Sequence, residues 1–309
     1  MESKPFKTLD EQIEILKSRG LIINDENFAR DFLLKNNYYR ISGYSLTLRN
    51  NDVFYPETSF QNIVDIYSCD HDLRHILLNY IEIIEVKIKS IYSYEFSQIY
   101  GPLGFFNQDN FTNPERYSKI LVKGEEQKVK RLPNEAYLKH FIHDLNQQVP
   151  FWAYVDLLTI SDISILYSIS KPELKVSVAK LLGMKSTNSP KILATMLHNV
   201  TIIRNLCAHG SRLFNRLFEQ KPTLSRAERS LLIQNKDGTV DNAHLYGFIL
   251  VMRRLLEPSD YKNLYSNLQS LSDRYSYVDM RHYGFRYDWK KQLQPKEITR
   301  AKKNINTGN

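Results

Sequence analysis

Apolar positions recur along most of the chain at three- and four-residue steps, the period of a helix with one buried face. Thr8-Leu9-Asp10-Glu11 has the spacing of a capping box, Ile13, Ile15 and Leu16 follow it, and Gly20 stops the segment. A second helix is predicted over about Asp25 to Lys35, with Phe28, Phe32 and Leu33 on one side. Tyr38-Tyr39-Arg40-Ile41-Ser42-Gly43-Tyr44 breaks the pattern. Its aromatic and β-branched residues suit a short strand or an irregular connector, before a polar turn at Asn50-Asn51-Asp52. From Ser59 to Tyr100 the helical period returns, carried by Ile63, Ile66, Leu73, Leu77, Ile81, Ile84 and Ile88. This reads as one long helix or two broken near Asp70, stopped by Gly101-Pro102.

Residues 103 to 132 are polar and basic, with Lys123, Lys128, Lys130 and Arg131, and read as an insertion or mobile excursion, in part helical. Helical periodicity resumes over Asn134–Gln147 and again after Pro150. Ser161–Ile169, Pro172–Leu182 and Pro190–Ala208 follow, with proline near helix starts, where its missing N–H costs nothing. Asp241–Leu256 and Ser259–Leu271 complete the series. The expected fold is mainly all-α: an N-terminal helical portion (1–58), a helical bundle (59–288) and a basic C-terminal tail (289–309).

Composition narrows the function only a little. No apolar run approaches the roughly 18 residues that span a bilayer, and Met1-Glu2-Ser3-Lys4 opens no apolar leader. A cytoplasmic protein without a membrane partner is expected. Cys69 and Cys207 are the only cysteines, too few for a thiolate zinc site or a disulfide framework. Both are expected reduced, with Cys207 in a small core position. A net charge of +8 favours a polyanionic partner through counterion release but does not choose among RNA, DNA and a membrane surface.

The chemistry concentrates in Ile203-Arg204-Asn205-Leu206-Cys207-Ala208-His209-Gly210. His209 falls at the end of the helix predicted over Pro190–Ala208, and Gly210 is a natural stop. The negative end of the helix dipole lies there, an environment that suits an imidazole serving as acid and base near neutrality. The planar fork of Arg204 can bind two phosphate oxygens and stabilise a five-coordinate transition state. Asn205 can orient either group. With no metal-activated water in the pattern, the nucleophile would come from the substrate, and the 2′-OH of RNA supplies one. The products would be a 2′,3′-cyclic phosphate and a 5′-hydroxyl. Five residues turn an ideal helix through about 500°, which leaves Arg204 and His209 about 140° apart. Either the helix unwinds before His209 or a second chain completes the site.

Arg204-Asn205-x-x-x-His209 resembles the Arg-x4–6-His motif of the HEPN superfamily, helical proteins that include many metal-independent RNases. The wider chain is similar to the Abi-like (AbiD/AbiF) abortive-infection family. The resemblance rests on Lys4-Pro5-Phe6, Tyr38 to Tyr44, Asp70-x-x-Leu73-Arg74 continuing through Ile84-Glu85-Val86-x-Ile88, and Ile203 to Asn215. Pro150-Phe151-Trp152 and Tyr283-Gly284-Phe285 fit as well, and Phe214 stands where relatives often carry Trp. The resemblance implies a HEPN-like bundle, an RNA-cleaving toxin of phage defence, and pairing of two motifs across a homodimer. It also implies a structured noncoding RNA as a regulatory partner.

Other candidates carry less. His71-x-x-x-His75, beside Asp70 and Asp72, has the spacing of a metal-binding pair, but a solvated helix face is the simpler reading; His140-x-x-His143 is weaker. No metal and no cofactor are expected. Arg74 and Glu85 read as structural ion pairs with other helices, and Arg40 as an anchor for the N-terminal portion. Arg212 and Arg216 lie one turn apart beyond His209 and, if helix resumes there, would hold RNA phosphates beside the scissile bond. The competing functional class is a non-catalytic RNA-binding regulator that keeps the motif as a phosphate clamp. A nucleotide-modifying toxin would want a glycine-rich phosphate loop, which the sequence lacks.

Overall fold

Helix caps written into the sequence set most of the boundaries. In the computed structural model, which describes residues 5–295, Thr8 caps α1 (Leu9–Ser18), Glu11 bonds back to the Thr8 amide, and Asp25 caps α2 (Glu26–Asn36). The Tyr38–Tyr44 segment is a one-turn helix, α3 (Tyr38–Ser42), and not a strand. Asn37, at a φ of 62°, turns the chain sharply out of α2 and caps α3 through its side chain, so local capping overrides the aromatic composition. A two-stranded antiparallel hairpin follows, β1 (Arg49–Asn50) and β2 (Val53–Phe54), pairing Arg49 with Phe54 around the expected polar turn.

The long segment is a single helix, α4 (Phe60–Tyr100), of 41 residues and about 61 Å. It contains neither glycine nor proline, and Asp70 does not break it. Next comes α5 (Pro114–Arg131), a regular 18-residue helix within the polar segment that the sequence reads as an insertion or mobile excursion, in part helical. Its apolar signal is sparse, since only Tyr117, Ile120 and Gly124 are buried. A Cβ at Gly124 would run into the Tyr154 ring, so glycine there lets the helix approach closely.

Short turns α6 (Ala136–Lys139) and α7 (Phe151–Tyr154) lead to α8 (Ile160–Ile169), α9 (Pro172–Leu181) and α10 (Ser189–Ala208). After them come α11 (Arg226–Arg229), α12 (Leu245–Leu255), α13 (Pro258–Arg274) and α14 (Trp289–Leu293). The fold is all-α. α10 packs against α4, α8, α9 and α12, while α4 also carries α13, so the motif-bearing helix is central to the bundle.

One apolar core runs from Ile13 of α1 to Leu293 of α14. The N-terminal portion joins it through Phe32, whose ring meets Phe60 and Tyr67 edge-on. At the other end Trp289 and Leu293 are buried, so the chain remains part of the core five residues into the expected tail. The rest of that tail, from residue 296, lies outside the described residues. Among the described residues no helix is long and apolar enough to cross a membrane.

Candidate active site

The α-helical backbone of α10 persists through Ala208, and the His209 amide still donates to the Asn205 carbonyl at 3.0 Å. The helix then ends in a Schellman turn. Ser211 N–H donates to the Leu206 carbonyl (2.8 Å), Gly210 N–H donates to the Cys207 carbonyl (3.1 Å), and Gly210 takes a φ of 63°. His209 is therefore fixed by its backbone and left exposed by its side chain. Arg204 is half-buried on the last full turns, with Nη1 3.4 Å from the Asn205 carboxamide oxygen. Among the described residues no carboxylate lies within ion-pairing distance of Arg204, so its fork is open to an anion. Because the helix does not unwind before His209, the separation of about 140° from Arg204 persists.

The segment after the turn is held from below. Asp70 of α4 is fully buried and accepts from four donors. These are the backbone amides of Leu213 (3.2 Å) and Phe214 (2.8 Å), the Tyr44 hydroxyl (2.8 Å) and the Arg74 guanidinium. Burial pushes the Asp70 carboxyl above its usual range, and Arg74, Tyr44 and the two amides oppose that shift. Burial first, and the neighbouring carboxylate second, push the Tyr44 hydroxyl up as well, which keeps it a donor.

Three further contacts close the cage around residues 210–215. Arg40 donates to the Gly210 carbonyl, Arg212 Nη1 donates to the Gly43 carbonyl at 2.6 Å, and Asn215 N–H donates to the His282 carbonyl at 2.9 Å. Phe214 fills the centre, stacked on Tyr44 and edge-on to Tyr283. The blocks around Tyr38–Tyr44, Asp70–Arg74, Ile203–Asn215 and Tyr283–Phe285 thus meet at one place.

A profile of the Abi-like protein family matches residues 31–215, well over half of the chain. The chain belongs to the Abi-like family. The matched span takes in α3, α4 and the whole motif through Asn215. No curated protein and no solved structure gives a significant match.

Several sequence expectations for this Abi-like protein are changed by the geometry. Helix does not resume after His209; residues 211–218 are irregular, and Asn215 has a φ of 47°. Arg212 is committed to Gly43, and Arg216 Nη1 reaches the Arg212 carbonyl at 3.3 Å with its guanidinium over the Phe218 ring. Both arginines therefore have protein partners. Arg74 finds its carboxylate, Asp70, one turn back on its own helix, and Glu85 pairs one turn ahead with Lys89 at 2.9 Å. A local i, i+4 pair replaces the expected bond to another helix.

Asp70 itself was legible only as part of the family pattern. The direct signal is a charged pair at i, i+4 flanked by the fully buried Cys69, Leu73 and Leu77. His71 and His75 are exposed with Nε2 atoms 3.2 Å apart, and among the described residues no group of three metal-binding side chains assembles around them. Both thiols are free and buried. Burial pushes Cys69 and Cys207 up to about 12, which keeps them protonated.

Proposed function

We propose that this protein is a metal-independent endoribonuclease of the HEPN type that acts in abortive infection. Arg204 neutralises the scissile phosphate, Asn205 orients it, and His209 moves the proton of the attacking 2′-OH or of the leaving 5′ oxygen. The observation that carries this reading is an arginine without a carboxylate partner among the described residues and an exposed histidine, both on a helix end followed directly by the Asp70 cage. Such fixed, unneutralised groups suit a developing negative charge, because little reorganisation is required when it forms. Membership of the Abi-like family supports the biological setting.

One histidine cannot at once deprotonate the nucleophile and protonate the leaving group. A homodimer that sets two copies of Arg204 and His209 around one phosphate supplies both functions. It also answers the persistent angular separation on α10. In EDTA the purified chain should cut RNA to ends carrying a 2′,3′-cyclic phosphate and a 5′-hydroxyl, and His209→Ala should lose that activity while keeping its melting temperature. Mixing Arg204→Ala with His209→Ala chains should restore part of the activity if the site is composite. Full cleavage by His209→Ala would overturn the assignment. RNA binding without cleavage by the wild type would favour the regulatory alternative.

A further inference from the structure

Two grooves of similar size lie away from the motif, and their charges are opposite. One, of about 830 Å³, runs along α4 and is lined by Glu82, Glu85 and Asp156 with Lys89 as its only cation. The other, of about 860 Å³, lies between α5, α8 and α10 and is lined by Arg116, Lys119, Lys123 and His198 with no carboxylate. Its lining also includes Ile120, Ile165 and Ala194.

The cations of the second groove belong to a longer pattern on α5. Arg116, Lys119, Lys123, Gln127 and Lys130 follow one another at three- and four-residue steps. At 100° per residue they fall within about 80° of one another, a single stripe about 21 Å long. Arg116, Lys119, Lys123 and Lys130 are exposed. Lys119 has a partner, Glu115 at 2.7 Å, and Lys123 lies 3.7 Å from Asp162, whose other oxygen is engaged by Thr159 in the cap of α8. Among the described residues Arg116 and Lys130 have no carboxylate within ion-pairing distance.

The groove is also aligned with the motif. His198 and His209 are eleven residues apart on α10, three turns plus about 20°, so they share one face about 16 Å apart. Asn205 lies on the same face, within about 20° of His198. A ligand lying along that face would reach from the basic groove to the exposed imidazole at the helix end.

We propose that the α5–α8–α10 groove is an RNA-binding exosite that guides a single strand toward His209. This rests on the ribonuclease reading for the direction of the path but not for the binding itself. The stripe supplies regularly spaced cations for phosphates, and the apolar floor accepts the faces of unpaired bases. The α4 groove, with three carboxylates, repels the same strand.

The test uses the full-length His209→Ala chain, in which cleavage is expected to be lost, and a fluorescein-labelled oligouridylate followed by anisotropy across a salt series. In that background Arg116→Gln/Lys123→Gln/Lys130→Gln should weaken binding about tenfold or more. It should also flatten the slope of log Kd against log salt by about 2, since each cation lost from a single-strand contact removes about 0.7. Arg116→Gln alone should flatten it by about 0.7, and Lys35→Gln/Lys221→Gln/Lys236→Gln, none of which lines the groove, should change neither slope nor affinity.

An unchanged slope in the groove triple overturns the exosite, whether or not the wild type cleaves RNA. So does loss of a dimer in sedimentation with RNA binding intact, since the face would then belong to a second copy. A groove triple that loses binding while the wild type leaves RNA uncut in EDTA supports the exosite and removes the ribonuclease reading instead.

Discussion

The two sides of Gly210 treat charge in opposite ways. Before it, Arg204 and His209 stand half-buried and exposed on a helix end, with no carboxylate paired to the guanidinium among the described residues. After it, charge is paired: Asp70 takes two amides, a hydroxyl and Arg74, while Arg40 and Arg212 close on backbone carbonyls. The same residue type, arginine, is structural on one side and available on the other. The difference is pairing, which bare sequence spacing does not report. A densely hydrogen-bonded network is what allows its neighbour to remain unpaired and still held in place.

Breaking the paired side should have the largest effect on the fold. Asp70→Ala leaves Arg74 buried without its carboxylate and frees two backbone amides, so it should cost about 3–5 kcal/mol in urea unfolding. RNA cleavage should fall with it. Breaking the open side should separate the two properties. Arg204→Ala should lower cleavage by about 10²–10³ while stability stays within about 0.5 kcal/mol, measured by single-turnover cleavage and a parallel urea melt. Equal losses of stability in the two variants would erase the distinction between the sides.

Arg40→Ala sits on the boundary. It removes one charged hydrogen bond to the Gly210 carbonyl from an exposed side chain. A cost of about 1 kcal/mol is expected, with faster amide exchange confined to residues 210–214.

The smallest effect is one of pH. His282 packs on Phe214, and burial holds its pKa below the ordinary value. The unfolded chain therefore takes up the proton more readily than the folded one. The stabilising contribution is whole above the usual histidine range, near about 6.5, and declines as pH falls through it. His282→Gln should flatten the fall in melting temperature below that pH; an unchanged profile would place the titrating group elsewhere.

Much of the helical framework was legible in the residues. Pro172 and Ser189-Pro190 open α9 and α10, and Gly101 and Gly210 stop α4 and α10, because these residues act locally. The failures share a cause. α3 was hidden because a positive-φ Asn37 and docking onto the motif decide its shape. The regular helix α5 was hidden because three buried positions in 18 residues give too faint an apolar period. For the candidate site, Arg204 and His209 could be picked out by chemistry. The cage around residues 210–215 could not, because Gly43, Asp70 and His282 lie far from it in sequence.

That separation has a consequence for how the protein is made. Arg40 meets Gly210 across 170 residues, and the Tyr283 ring closes on Phe214 from a segment translated some seventy residues later still. As the ribosome releases the chain, helix α10 emerges well before its floor is complete. A nascent polypeptide halted short of residue 282 would lack the His282 carbonyl that accepts from Asn215 and the Tyr283 ring that packs on Phe214. The cage is completed only when that last segment is made, so truncated translation products should hold residues 210–215 less firmly than the finished chain.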